Sequence, residues 1–146
     1  GMIGGQCADI CAEELPADQV TKELLWYIHK NKTAALIEAA LMIGAVLAGA
    51  SDEAVKKLEQ AAENIGIAFQ IQDDILDVTS SLEVLGKPVG SDEKNHKVTY
   101  VRLNGLEQSK KDVEALSEEA LTILSSFDRR NEFLEDLVRA LITREK

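Results

Sequence analysis

Residues 51–80 read SDEAVKKLEQAAENIGIAFQIQDDILDVTS, and this stretch decides the fold. Ser51 is a good N-cap, and Asp52 and Glu53 suit the positive end of a helix dipole. Both prolines of the chain, Pro16 and Pro88, fall outside it. The pattern predicts one long helix from Ser51 to about Ser80, roughly 45 Å at ~1.5 Å per residue. Inside it, Phe69-Gln70-Ile71-Gln72-Asp73-Asp74-Ile75-Leu76-Asp77-Val78 sets three acids among apolar residues. A helix turns ~100° per residue, so Asp73, Asp77, Gln70 and Asp74 share an arc of roughly 100°. Gly66 projects into the same arc and Glu63 lies close to it. A mostly apolar helix therefore carries one carboxylate face.

Working outward, helical spacing continues on both sides. Met2 to Glu14 reads as a helix ended by Pro16. Val20 to Asn31 carries Leu24, Leu25, Tyr27 and Ile28 at helical intervals. Thr33 to Ala50 is a second apolar run, read as a buried helix in which Gly44 and Gly49 allow close helix approach. Gly86, Pro88 and Gly90 mark Ser81 to Asn95 as a loop. Helix is predicted to resume near Lys97, to break around Gly105 and to continue to Phe127, with a last helix from Asn131 to Glu145. Alanine and leucine are abundant and no strand alternation is present. The expected fold is all-α, with long helices packed side by side in a single domain.

The formal net charge of −10 gives no basic patch for a nucleic acid and disfavours an anionic membrane surface. The richest apolar stretch, Ala34 to Ala50, contains Glu38 and small residues such as Gly44 and Gly49, and reads as a core helix, not a membrane span. Cys7 and Cys11 lie four apart without a second pair of thiols or histidines, so they are expected to be small core residues of a reducing, cytoplasmic protein and not a zinc site. His29 and His96 lack ligand spacing and are expected on a helix surface or at a cap.

Like charges as close as Asp73, Asp74 and Asp77 repel, and a bound cation reverses that logic. Hard oxygen donors suit Mg²⁺, which takes one or two carboxylates and shares its other positions with waters and phosphates. Asp-Asp-x-x-Asp in so acidic a chain also fits a solvated stripe; the apolar neighbours on both sides favour a functional face. Phosphate needs positive charge as well. Lys32-Thr33 stands at the junction of two helical runs, where backbone carbonyls can leave the helix ladder. Lys87 and Lys97 follow the carboxylate helix, in and after the loop. Each lysine alone fits an ordinary surface charge; their joint placement points to a phosphate site.

Together these stretches resemble the trans-isoprenyl diphosphate synthases, the family of farnesyl and geranylgeranyl diphosphate synthases. Gly4-Gly5-Gln6-x-x-Asp9 resembles the family's Gly-Gln-x-x-Asp helix, and Ile28-His29-x-x-Lys32-Thr33 its Lys-Thr kink. Phe69-Gln70-x-x-Asp73-Asp74-x-x-Asp77 is similar to its second aspartate-rich motif. Leu85-Gly86-Lys87 and Lys97 resemble its two later diphosphate-binding lysines. The resemblance implies the isoprenoid synthase bundle, long antiparallel helices around a central cavity. It also implies a Mg²⁺-dependent prenyltransferase joining isopentenyl diphosphate to an allylic prenyl diphosphate, working as a homodimer. By that resemblance Asp73, Asp74 and Asp77 are metal ligands. Lys32, Lys87 and Lys97 contact the allylic diphosphate. Carbonyls near Lys32 and Thr33, with the Gln70 side chain, face the cationic carbon. Gln6 and Asp9 line the cavity.

One departure is large. The family's first aspartate-rich motif precedes its Gly-Gln-x-x-Asp helix, whereas here that helix opens the sequence. Residues 1–146 are therefore expected to be the C-terminal half of a synthase domain, inactive alone, and the Gly-Met start fits a truncated or processed product. Thr79-Ser80-Ser81 replaces a Gly-Asp pair common in relatives, a change expected to alter the loop and not the chemistry. A non-catalytic helical partner subunit and a terpene cyclase relative are the competing readings; the Lys-Thr kink and later lysines favour a synthase over a cyclase.

Overall fold

The computed structural model describes the backbone of residues 1–85 and 98–144, and the side chains of 1–79 and 98–144. Among these residues every regular element is helical. They are α1 (Met2–Glu13), a 3-10 turn (Ala17–Gln19), α2 (Lys22–Ile28), a π segment (His29–Ala34), α3 (Ala35–Leu47), α4 (Asp52–Leu85), α5 (Tyr100–Asn104), α6 (Leu106–Ser125) and α7 (Glu132–Thr143).

The long helix α4 is the spine. Its 34 residues span roughly 50 Å at 1.5 Å per residue. Ala61, Ala62, Ile65, Ile67, Ala68, Ile71 and Ile75 are all buried along it. A helix apolar on so many sides is stable only when neighbours surround it. The π segment and α3 pack on one side of α4, and α6, α5 and α7 also pack against it. One core cluster joins Ile67, Ala68, Ile71 and Ile75 to Ala34, Tyr100, Val101 and Val113. A second joins Ala61 and Ile65 to Ala120, Leu124 and Val138. Val113, Ala120 and Leu124 recur on α6 at helical intervals, which fixes the face it turns to α4.

The ends follow capping chemistry. Thr21, Ser51, Thr99 and Asn131 each accept an amide hydrogen bond from the residue three further on, at 3.1–3.3 Å. Gly105 separates α5 from α6 at φ +79°, a conformation that costs a residue with a Cβ far more than glycine.

Several sequence expectations need correction. α4 runs past Ser80 to Leu85, because Leu82, Glu83 and Leu85 are good helix formers and no breaker occurs before Gly86. The two runs expected at 20–31 and 33–50 are one helical path from Lys22 to Leu47, joined by the π segment. α3 is not a buried helix: Ala45 is its only buried residue, and Leu36, Ile43, Val46 and Leu47 are exposed. Gly44 and Gly49 face open space, so the close approaches are made by other glycines. Cys7 and Cys11 are exposed free thiols on α1 and not core residues. His29 is buried, not on the surface.

Candidate active site

The site is built on the π segment. Its last turn closes with the Ala35 N–H reaching the Lys30 carbonyl, five residues back, a widened register that recurs at functional sites. Two glycines let neighbouring helices press against it. A Cβ on Gly5 of α1 would stand 2.3 Å from the Lys32 amide nitrogen, and a Cβ on Gly66 of α4 would stand 2.3 Å from the Ala34 Cα. Only a residue without a Cβ permits either approach. The segment is thus clamped between α1 and α4.

Three polar side chains of the segment are then tied to neighbouring helices. Lys32 Nζ donates to Asp9 Oδ2 at 2.5 Å, with the Asp9 side chain 8% exposed. A carboxylate this buried needs a cation beside it. Thr33 Oγ1 donates to Gln70 Oε1 at 2.9 Å. Lys30 Nζ pairs with Glu63 at 2.8 Å. The hydrogen bond to Glu63 holds the Lys30 ammonium above its ordinary pKa. Burial, with Glu63 adding to it, pushes the nearby Glu38 carboxyl up.

On the carboxylate face the three aspartates have different surroundings. Asp74 Oδ2 accepts the Tyr100 N–H at 2.7 Å, so the carboxylate sits at the N-terminus of α5. Asp73 pairs with the Arg144 guanidinium, which lies 4.1 Å above the Phe69 ring. Asp77 is exposed. The Tyr100 hydroxyl donates to Asp112 at 2.8 Å; burial and that bond push its pKa upward.

Asp9, Lys32, Gln70 and Asp74 meet with His29 and Thr99 around a cleft of about 40 Å³, to which Leu25, Ile28 and Val98 give apolar wall. That volume takes a water or two, or a phosphate oxygen. The sequence placed Asp9, Lys32, Gln70 and Asp74 together, and Thr33 joins them through Gln70. Gln6 lies half-buried on α1, apart from the residues that line the cleft. Lys87 and Lys97 lie outside the described residues. His29, Thr99 and Arg144 were missed. His29 continues the Leu25–Ile28 face at helical spacing, a signal that was available; Thr99 is a helix N-cap; Arg144 carries no local sequence signal.

A family model described as polyprenyl synthetase matches residues 1–138. The chain belongs to the polyprenyl synthetase family. It is 47% identical over 128 residues to the chloroplastic geranylgeranyl pyrophosphate synthase 11 of Arabidopsis thaliana, covering 88% of this chain and 36% of that protein. It is 43% identical over 144 residues to a dimethylallyltranstransferase of Fischerella ambigua, covering 99% and 41%. A Helicobacter pylori geranyltransferase, crystallised with magnesium and isoprenyl diphosphate, matches 97% of this chain and 46% of its own at a TM-score of 0.71 and 36% identity. Heptaprenyl diphosphate synthase from Staphylococcus aureus shares the fold at a TM-score of 0.84 and 23% identity over 99% of this chain and 57% of its own. The polyprenyl synthetase chain described here thus spans well under two thirds of these relatives. Its helical bundle is the isoprenoid synthase fold.

Proposed function

We propose that this chain supplies the second aspartate-rich wall of a prenyl chain-elongating site, which joins isopentenyl diphosphate to an allylic prenyl diphosphate. The observation that carries this is the convergence of Lys32, Asp9, Gln70 and Asp74 from three elements on one cleft. The family membership and the magnesium and isoprenyl diphosphate held by the Helicobacter pylori relative support it.

The donor set fits Mg²⁺. Its carboxylates are hard oxygen donors on one helix, and a cation, the Arg144 guanidinium, is already drawn to Asp73. Among the described residues no three His, Cys, Asp or Glu side chains converge as a ready cage. Asp73, Asp74 and Asp77 would hold the ion, and it would supply charge to the departing diphosphate.

The chain's own groups do the rest. Lys32, steered by Asp9, presents an ammonium to the diphosphate, and Lys87 and Lys97 are proposed to join it. Thr33 fixes the rotamer of Gln70 by the 2.9 Å bond, so that the amide oxygen and the nearby π-segment carbonyls face developing positive charge. Gln6 and Asp9 are proposed as cavity-lining residues. Short-chain, farnesyl-type specificity is proposed by resemblance, while several relatives are geranylgeranyl synthases.

Exposed Ile3 and Ile10 on α1 and Ile43, Val46 and Leu47 on α3 support a homodimer, since apolar faces of this kind associate. No helix among the described residues is long and apolar enough to cross a membrane. A cytoplasmic placement is proposed on the two exposed free thiols, which suit a reducing compartment. The test is calorimetric titration of the chain with inorganic diphosphate. Binding should require Mg²⁺ and should be lost in Asp73→Ala/Asp77→Ala; Mg²⁺-independent binding would overturn the reading.

A further inference from the structure

Residue 144 follows α7 in an extended conformation (φ −60°, ψ 138°) and returns to α4 through three contacts. The Arg144 guanidinium pairs with Asp73 Oδ1. Its Cζ lies 4.1 Å above the Phe69 ring centre, and its carbonyl accepts from Gln72 Nε2 at 3.3 Å. Phe69, Gln72 and Asp73 are consecutive or nearly so on α4, so one short strap is laid across one turn of the carboxylate helix. Arg144 Nε is buried without an acceptor among the described residues, which marks the guanidinium as incompletely satisfied where it lies. The Asp73 side chain remains 44% exposed, open to ions from solvent.

We propose that Arg144 is a tethered cation that competes with the divalent metal for Asp73. The inference rests on the metal-binding reading given above and adds a residue to it. The guanidinium on Asp73 Oδ1 occupies a lone pair there and repels a divalent ion approaching either oxygen, so the two cations oppose each other at this carboxylate. The ion binds best with the strap released, and its apparent affinity falls with the fraction of chains in which the strap is down. Asp74 Oδ2 accepts the Tyr100 N–H. The strap thus keeps Asp73 paired until an ion of sufficient charge density arrives.

The test is Mn²⁺ binding to the 146-residue chain, without substrate, followed by loss of the free-ion electron paramagnetic resonance signal. Arg144→Gln should bind Mn²⁺ roughly threefold more tightly than the unaltered chain, the scale of one part-exposed ion pair. Arg144→Lys keeps the charge and should stay near the unaltered value. In an Asp73→Asn background, Arg144→Gln should change nothing. Equal affinity of the unaltered and Arg144→Gln chains, both weakened by Asp73→Asn, would overturn the strap while leaving the metal reading intact. An equal gain in both backgrounds would reduce the effect to net charge and also overturn it. No Mn²⁺ binding by any chain would sink both readings. Circular dichroism controls for folding; should Arg144→Gln lose helix, Arg144→Met, which keeps an apolar stem over Phe69, carries the same comparison.

Discussion

Lys32 and Asp9, twenty-three positions apart, form a 2.5 Å ion pair that fastens the π segment to α1. The pair has two uses. It neutralises a buried carboxylate, and it fixes the direction of an ammonium proposed to meet diphosphate. Lys32→Ala leaves Asp9 without that cation. With Lys32 itself a third exposed, the loss should be about 1–3 kcal/mol rather than the cost of a fully buried pair. Asp9→Asn in the same chain should recover most of it. Urea denaturation of the single and double variants measures both. In a complete synthase Lys32→Ala should also weaken allylic binding and slow ionisation together, and unchanged kinetics would return Lys32 to a structural role.

Gly66→Ala should be among the most damaging single-atom additions to the fold. The new Cβ would meet the Ala34 Cα at 2.3 Å and its Cβ at 2.5 Å, and backbone cannot yield as a side-chain tip does. A loss of about 1–3 kcal/mol or more is expected. Gly44→Ala is the contrast, because nothing lies within 4 Å of that position and it is mid-helix. It should raise the thermal midpoint, being worth up to about 1 kcal/mol. Opposite shifts in the two melting curves are the readout.

Stability should fall as pH rises above the usual carboxylate range. Burial first, then Glu63 and Glu59, raise the Glu38 carboxyl above its ordinary value, while Lys30 acts the other way. A folded pKa above the unfolded one means that the folded state binds the proton more tightly. The stabilisation is present while Glu38 is protonated and is lost as pH climbs from about 4.5 through the raised value. Glu38→Gln should flatten this slope, measured as urea midpoints across pH 4 to 7. Lys30, raised by Glu63, adds a loss only in the alkaline range, as pH passes its folded pKa.

Asp73→Ala in a complete synthase should lower turnover on the order of 100-fold or more by removing a proposed metal ligand. Its stability should change by no more than about 1 kcal/mol, since the Arg144 pair it removes is part-exposed. Product analysis at saturating Mg²⁺ beside a melting curve separates the two effects. Turnover like that of the unaltered enzyme would contradict the assignment.

Residues 1–146 by themselves should form no longer prenyl product from isopentenyl diphosphate and an allylic diphosphate. Within this sequence Asp73, Asp74 and Asp77 are the one aspartate-rich motif. Chromatography of the reaction with Mg²⁺ tests this, and turnover within about tenfold of a full-length relative would refute it.

Local information determined much of this protein. Periodicity of 3.6 residues fixed the helices, Ser51 and Asn131 fixed two of their starts, and Gly105 fixed a break, because these depend on neighbours within a turn. The carboxylate arc of Asp73, Asp74 and Asp77 was equally legible, since a helix wheel is set by spacing alone. Partners were not. That Gly5 and Gly66 clamp the π segment while Gly44 and Gly49 touch nothing depends on where other helices pass. The same holds for the burial of His29, the exposure of Cys7 and Cys11 and the open face of α3. Asp73 meets Arg144 across seventy-one positions, and Asp74 meets Tyr100 across twenty-six. No pattern local to either residue encodes such a meeting; it is decided by helix packing, which brings together groups that the chain keeps far apart.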